Sequence, residues 1–157
     1  MYTLKETNFK TLEGEKLFRV IYEDKEEGGL IESEKNLQGN ARVYGNARVY
    51  GNALVYGNAG VYGIALVSGN ALVSGNAGVY GGAWLKSPLQ IQGTRFFFNV
   101  SDENKIKIGC IKKTFREWKD DYKEIGELNY FTPDEIDEYK NYLNLAFKLY
   151  TANFQIK

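Results

Sequence analysis

The sequence predicts a mainly β protein: a single-stranded β-helix of about four triangular coils, with an N-terminal β-hairpin cap and a C-terminal cap of a hairpin plus two helices. Three observations carry this. From Gly39 to Lys86 the chain reads as eight consecutive hexads: GNARVY, GNARVY, GNALVY, GNAGVY, GIALVS, GNALVS, GNAGVY and GGAWLK. Within them Ala and Val recur two residues apart, the spacing of side chains on one face of a strand, and Gly-Asn supplies residues that tolerate the left-handed backbone of a corner. Variants of the hexad also recur 18 residues apart, GNAGVY at Gly57 and Gly75, GNALV at Gly51 and Gly69, so three hexads make one coil.

Taken in order, residues 1–26 are expected to form an N-terminal β cap. The segments 2–10 and 16–22 alternate as strands around Glu13-Gly14, with Phe18, Val20 and Tyr22 on one side. A solenoid needs such a cover because unpaired strand edges template end-to-end polymerisation. The hexad register extends backwards through EGGLIE and SEKNLQ, with Ile31 and Leu37 in the Val slot. It extends forwards through SPLQIQ and GTRFFF, with Ile91 and Phe97 there. Residues 27–98 then make twelve hexads, or four coils.

Residues 99–157 are expected to close the far end. Arg95–Val100 and Lys105–Cys110 flank the turn residues Ser101–Asn104 as a hairpin. Thr114 with Glu117 forms a capping box, and Phe115, Trp118, Tyr122 and Ile125 fall at helical spacing before Gly126, read as the stop. Thr132, Pro133 and Glu135 start a second helix, with Ile136, Tyr139, Leu143, Ala146, Phe147 and Tyr150 on one face. These aromatics read as cap core.

The G-N-A-x-V-x hexads, the entry segment from Gly28 to Leu37 and the exit Ile108-Gly109-Cys110 followed by Thr114–Trp118 resemble the left-handed β-helix hexapeptide-repeat proteins of bacteria and phages. Those proteins are often labelled transferases and carry a C-terminal helical cap. The resemblance implies left-handed coiling, and in the phage and prophage members an accessory role. It implies inhibition of a host defence protein, or capture of its nucleotide signal, as a job for such a chain.

Acyl transfer, the chemistry associated with that shape, uses a histidine general base, and this chain has no histidine. The same absence removes histidine-ligated zinc. All twenty Asp and Glu residues lie outside 39–98, so the array has no carboxylate to substitute; only Glu103, Glu117 or Asp120 in the cap could reach its rim. Ser68 and Ser74 lack a base, and Cys110, the single cysteine, has no partner for a disulfide. Neither a GxGxxG nor a GxxxxGK[ST] phosphate loop occurs. The expectation is therefore no enzyme, no cofactor and no metal.

Arg42, Arg48, Lys86 and Arg95 are too sparse for nonspecific nucleic-acid binding. No apolar run is long enough to span a bilayer, and nothing after Met1 reads as a signal peptide, so a cytoplasmic location is expected. Binding is expected on outward positions. Tyr44, Tyr62 and Tyr80 lie 18 residues apart and should stack as an aromatic ladder, which either only stabilises the solenoid or serves as a contact face, with Phe98 next in register and Gly60 and Gly78 leaving a shallow groove beside it. Leu54 and Leu72 should stack on one face and Leu66 and Trp84 on the next, with Ile64 in place of a corner Asn. Such apolar stripes mark interfaces. The chain is expected to be a non-catalytic binding protein, with a structural homo-oligomeric scaffold and, disfavoured by the missing histidine, a degenerate acyltransferase as alternatives; a second copy is the first expected partner, and a host protein or small nucleotide the second.

Overall fold

A computed structural model describes residues 1–151 and 156. The expected C-terminal region 99–157 therefore has residues 152–155 and 157 outside the described part.

The chain enters through β1 (Tyr2–Lys5), β2 (Phe18–Tyr22) and β3 (Glu27–Ile31), paired antiparallel in that order. Eight two-residue strands follow: β4 (Arg42–Val43), β5 (Arg48–Val49), β6 (Leu54–Val55), β7 (Gly60–Val61), β8 (Leu66–Val67), β9 (Leu72–Val73), β10 (Gly78–Val79) and β11 (Ala83–Trp84). They stack in parallel as three walls, β3-β5-β8-β11, β4-β7-β10 and β6-β9. The result is a β-solenoid of about three turns.

Its core follows from the hexad. Val43, Val49, Val55, Val61, Val67, Val73 and Val79 are fully buried, with the Ala of each hexad beside them. β-branched Val suits a strand whose side chains stack on copies of themselves one coil away. The corner glycines from Gly39 to Gly75 take positive φ; at Gly57 (φ 70) a Cβ would sit 3.2 Å from the Gly75 nitrogen, so both the conformation and the stacking of successive corners require glycine.

The fourth coil is not built. At Gly81-Gly82 the positive φ passes to the second glycine (φ 85), and the corner loses one residue. Ala83 consequently pairs with Leu66 and Trp84 with Val67, a 17-residue offset. Trp84 turns inward over the end of the core, its indole N–H donating to the Gly81 carbonyl at 2.8 Å. Residues beyond it leave the parallel register: β12 (Gln90–Gln92), β13 (Phe97–Asp102), β14 (Lys105–Ile108) and β15 (Ile111–Thr114) form an antiparallel sheet.

Both ends of the solenoid are sealed by groups that imitate a missing strand. At the entry, β3 covers β5, and the Tyr22 hydroxyl both accepts from Val43 N–H (2.7 Å) and donates to Val43 O (3.1 Å). Asn36 donates to the carbonyls of Gly51 and Ala53. At the exit, Ser87 Oγ accepts from Leu72 N–H, Gln90 bonds Ser74 N–H and Leu72 O, and Asn99 bonds both backbone groups of Gly78. Every one of these replaces an open ladder position, which is how an edge is blunted.

Helix α1 (Phe115–Leu128) begins at Thr114, which caps it with Glu117, and α2 (Pro133–Tyr150) begins at Thr132, which caps it with Glu135. α1 continues through Gly126 instead of stopping there. That glycine is an approach point: a Cβ would lie 2.9 Å from Ile136 of α2, so the two helices pack more closely than alanine would allow. Phe115, Trp118, Tyr139, Leu143 and Phe147 join the solenoid core through Phe98, Val100 and Ile106, making one continuous apolar interior.

Candidate interaction surfaces

The tyrosine ladder forms on the wall of β4, β7 and β10. Val43, Val61 and Val79 are in register there, so the residues after them, Tyr44, Tyr62 and Tyr80, superpose. Their rings stack at centroid separations of 5.8 and 4.8 Å, each pair 15° from parallel. The ladder runs towards the N-terminus through Tyr22, 5.2 Å from Tyr44, and Tyr2. Its other end is Tyr80, whose ring has the Lys112 ammonium 3.6 Å from its centroid. Arg42 lies over Tyr22 at 4.7 Å and donates to the Tyr44 hydroxyl at 2.6 Å. Burial raises the Tyr62 phenol above its ordinary pKa, and burial pushes that of Tyr22 up to about 12.

Two expectations for this wall are corrected. Phe98 is not a ladder rung; it is fully buried in β13, with its ring against Tyr142, because the chain has left the coil before reaching it. The groove beside the ladder is filled as well. The Tyr62 ring lies over Gly60, so closely that a Cβ there would clash with it, and Tyr80 and the aliphatic stem of Lys107 cover Gly78. Glycine on this wall lets the rings fold flat. Burial of that stem lowers the Lys107 ammonium below its ordinary pKa.

On the β6-β9 wall Leu54 and Leu72 are register partners, Leu54 half-buried and Leu72 42% exposed. Tyr56 is exposed at the adjoining corner. On the third wall Leu66 stands between Arg48 and Ala83, and the expected Leu66–Trp84 stack is corrected: the shortened corner sends Trp84 inward, leaving it 9% exposed. Ile64 is 74% exposed at its corner and Leu85 70%. Leu54, Leu72, Leu66 and Ile64 therefore remain at the surface, divided between two walls and a corner.

Of the hydroxyl and carboxyl candidates, Glu103 and Asp120 are exposed on the cap and Ser74 is partly buried. Ser68 is buried at a corner, and Glu117 is held in its capping box, where hydrogen bonds from Thr114 lower its pKa. Among the described residues, no three His, Cys, Asp or Glu side chains gather to hold a metal. No helix among them is long and apolar enough to cross a membrane.

One feature went unread in the sequence. A cavity of about 70 Å³ opens between α1, α2 and the β14-β15 turn, lined by Phe96, Trp118, Ile125, Phe131, Tyr139 and Leu143 among others, with the exposed Cys110 also on its wall. Its aromatics read as core because helical spacing reports only which face is apolar, not whether the packing beneath it closes.

Residues 47–63 and 65–84 match the family model of the YdcK beta solenoid repeat. The match runs from Ala47 through β5 to β11, with residue 64 between its two segments, and leaves β4, the first hexad from Gly39 and both caps outside it. No curated protein matches the chain.

Proposed function

We propose that this chain is a non-catalytic interaction protein in which the β-solenoid is a rigid spacer and its walls carry the contacts. The observation that supports this most directly is the Leu54–Leu72 pair: two leucines in register on a flat wall, one of them 42% exposed, beside Tyr56. Aliphatic area held on a rigid surface binds with little ordering cost. Because the coil ends are blunted, association through walls is favoured over end-to-end stacking.

The first partner is a second copy of the chain. The finer description, a left-handed hexapeptide coil of phage or prophage origin acting on a host protein or a nucleotide signal, rests on the G-N-A-x-V-x resemblance. The lack of histidine supports a role without acyl transfer.

Light scattering with sedimentation velocity tests the reading. The wild-type chain should form a defined homo-oligomer that Leu72→Lys dissociates without loss of β signal. A wild-type chain that stays monomeric at high concentration would remove self-association, and acetyl-CoA turnover would remove the non-catalytic reading.

A further inference from the structure

The cavity in the C-terminal cap lies apart from the solenoid walls and has its own chemistry. Its wall is mostly aromatic and aliphatic, and the polar hydrogens of Tyr139, Trp118 and Asn129 on it are engaged within the protein. The Tyr139 hydroxyl donates to Phe96 O and accepts from the N–H groups of Arg95 and Phe96. The Trp118 indole donates to Ile106 O, and the Asn129 amide donates to Ile125 O. A molecule entering would find those donors engaged, so burying a charge or an unpaired hydroxyl there carries its full desolvation cost.

The frame around the opening is preset. Arg95 donates to the carbonyls of Asn129 and Tyr130, pairs with Glu135 at 3.5 Å and stacks on Phe131 at 4.5 Å, pinning the connection between the helices. Thr94 binds Glu138 through both its N–H and its hydroxyl, and Phe96 stacks on Phe131. These ties fix the shape of the opening, and apolar cavities accept apolar guests. An engineered cavity of about 150 Å³ takes benzene; here about 70 Å³ would receive part of a ring, the rest lying in the mouth.

From the apolar wall, the engaged donors of Tyr139, Trp118 and Asn129 and the fixed frame, we infer that the α1/α2/β14-β15 cavity is a binding site for a small uncharged apolar ligand, of the size of one aromatic ring seated partly in the mouth. This site is independent of the leucine wall, so either can fail without the other.

Cys110 provides the test, because it is the single cysteine in the chain, is exposed and lines the cavity. The reaction of its thiol with a disulfide reagent is followed in the full chain with toluene as probe and benzoate as charged control. Toluene should slow the reaction severalfold in a saturable way and raise the Tm, and benzoate should do neither. Ile125→Phe, which places a ring into the cavity, should abolish the toluene effect while circular dichroism shows a folded protein; Ile111→Phe serves if that variant fails to fold. No protection and no Tm shift in the wild-type chain would overturn the proposal. So would protection by benzoate equal to that by toluene, or protection that persists in the filled variants.

Discussion

Asn99 occupies the place of a strand above Gly78: its Oδ1 accepts from the Gly78 N–H at 3.2 Å and its Nδ2 donates to the Gly78 carbonyl at 2.8 Å. One side-chain amide thus completes the wall of β10, at a point where both groups are buried. Leucine at 99 would match the volume and leave both backbone groups orphaned. Asn99→Leu should destabilise the chain by about 1–3 kcal/mol for each group left without a partner, measured by urea denaturation with the m-value unchanged.

Gly60 and Tyr62 are coupled by contact. A Cβ at 60 would collide with the Tyr62 ring, which must then leave the ladder. Gly60→Ala alone should destabilise the chain by an amount on the order of 1–3 kcal/mol, as overpacking does. Tyr62→Ala alone should lose the ring contacts with Tyr44 and Tyr80. In the double variant the collision has no target, so the two losses should fall short of their sum, and strict additivity in a double-mutant cycle would disprove the coupling.

The alkaline limit of stability should depend on Tyr22 and Tyr142. Burial pushes the Tyr22 phenol up to about 12, while the hydrogen bond to Glu138 does the same for Tyr142, both from 10.0. Between pH 10 and 12 the unfolded chain has released these protons and the folded chain keeps them, so the stability they contribute is intact below pH 10 and falls as pH rises towards 12. Tyr22→Phe should flatten that loss, read from Tm against pH. Spectrophotometric titration should show two phenols ionising near 12.

Ser101 has the opposite problem to Asn99. Its Oγ is buried without a hydrogen-bond partner among the described residues, while its backbone carbonyl accepts from Tyr80 N–H. Ser101→Ala should keep the backbone bond, remove the uncompensated hydroxyl and stabilise the chain by about 1 kcal/mol. A lower Tm for this variant would mean that the hydroxyl is satisfied in solution.

Much of the wall architecture was legible in the repeat. Tyr44, Tyr62 and Tyr80 stack because the 18-residue period places them one coil apart, and Leu54 meets Leu72 for the same reason. The end of the array was not legible. GGAWLK has the hexad's length, yet Gly82 rather than Gly81 makes the corner, and that choice depends on where the Trp84 indole finds room and a carbonyl to bond. From that single-residue slip follows the loss of the Leu66–Trp84 stack, and the departure from the coil just after it removes Phe98 as the fourth ring of the ladder.

The sequence by itself determined the coil: a six-residue period with Val inward and glycine at the corners admits few backbones, since each strand is short and each contact lies one period away. Only the tertiary structure decided how the coil ends and where the chain leaves an opening. Those outcomes rest on contacts between residues far apart in the chain, Tyr22 with Val43, Asn99 with Gly78, Arg95 with the carbonyls of Asn129 and Tyr130, and no local period encodes such a pairing. The cavity beneath α1 and α2 is of the same kind, being the space that the helices and the hairpin fail to fill together.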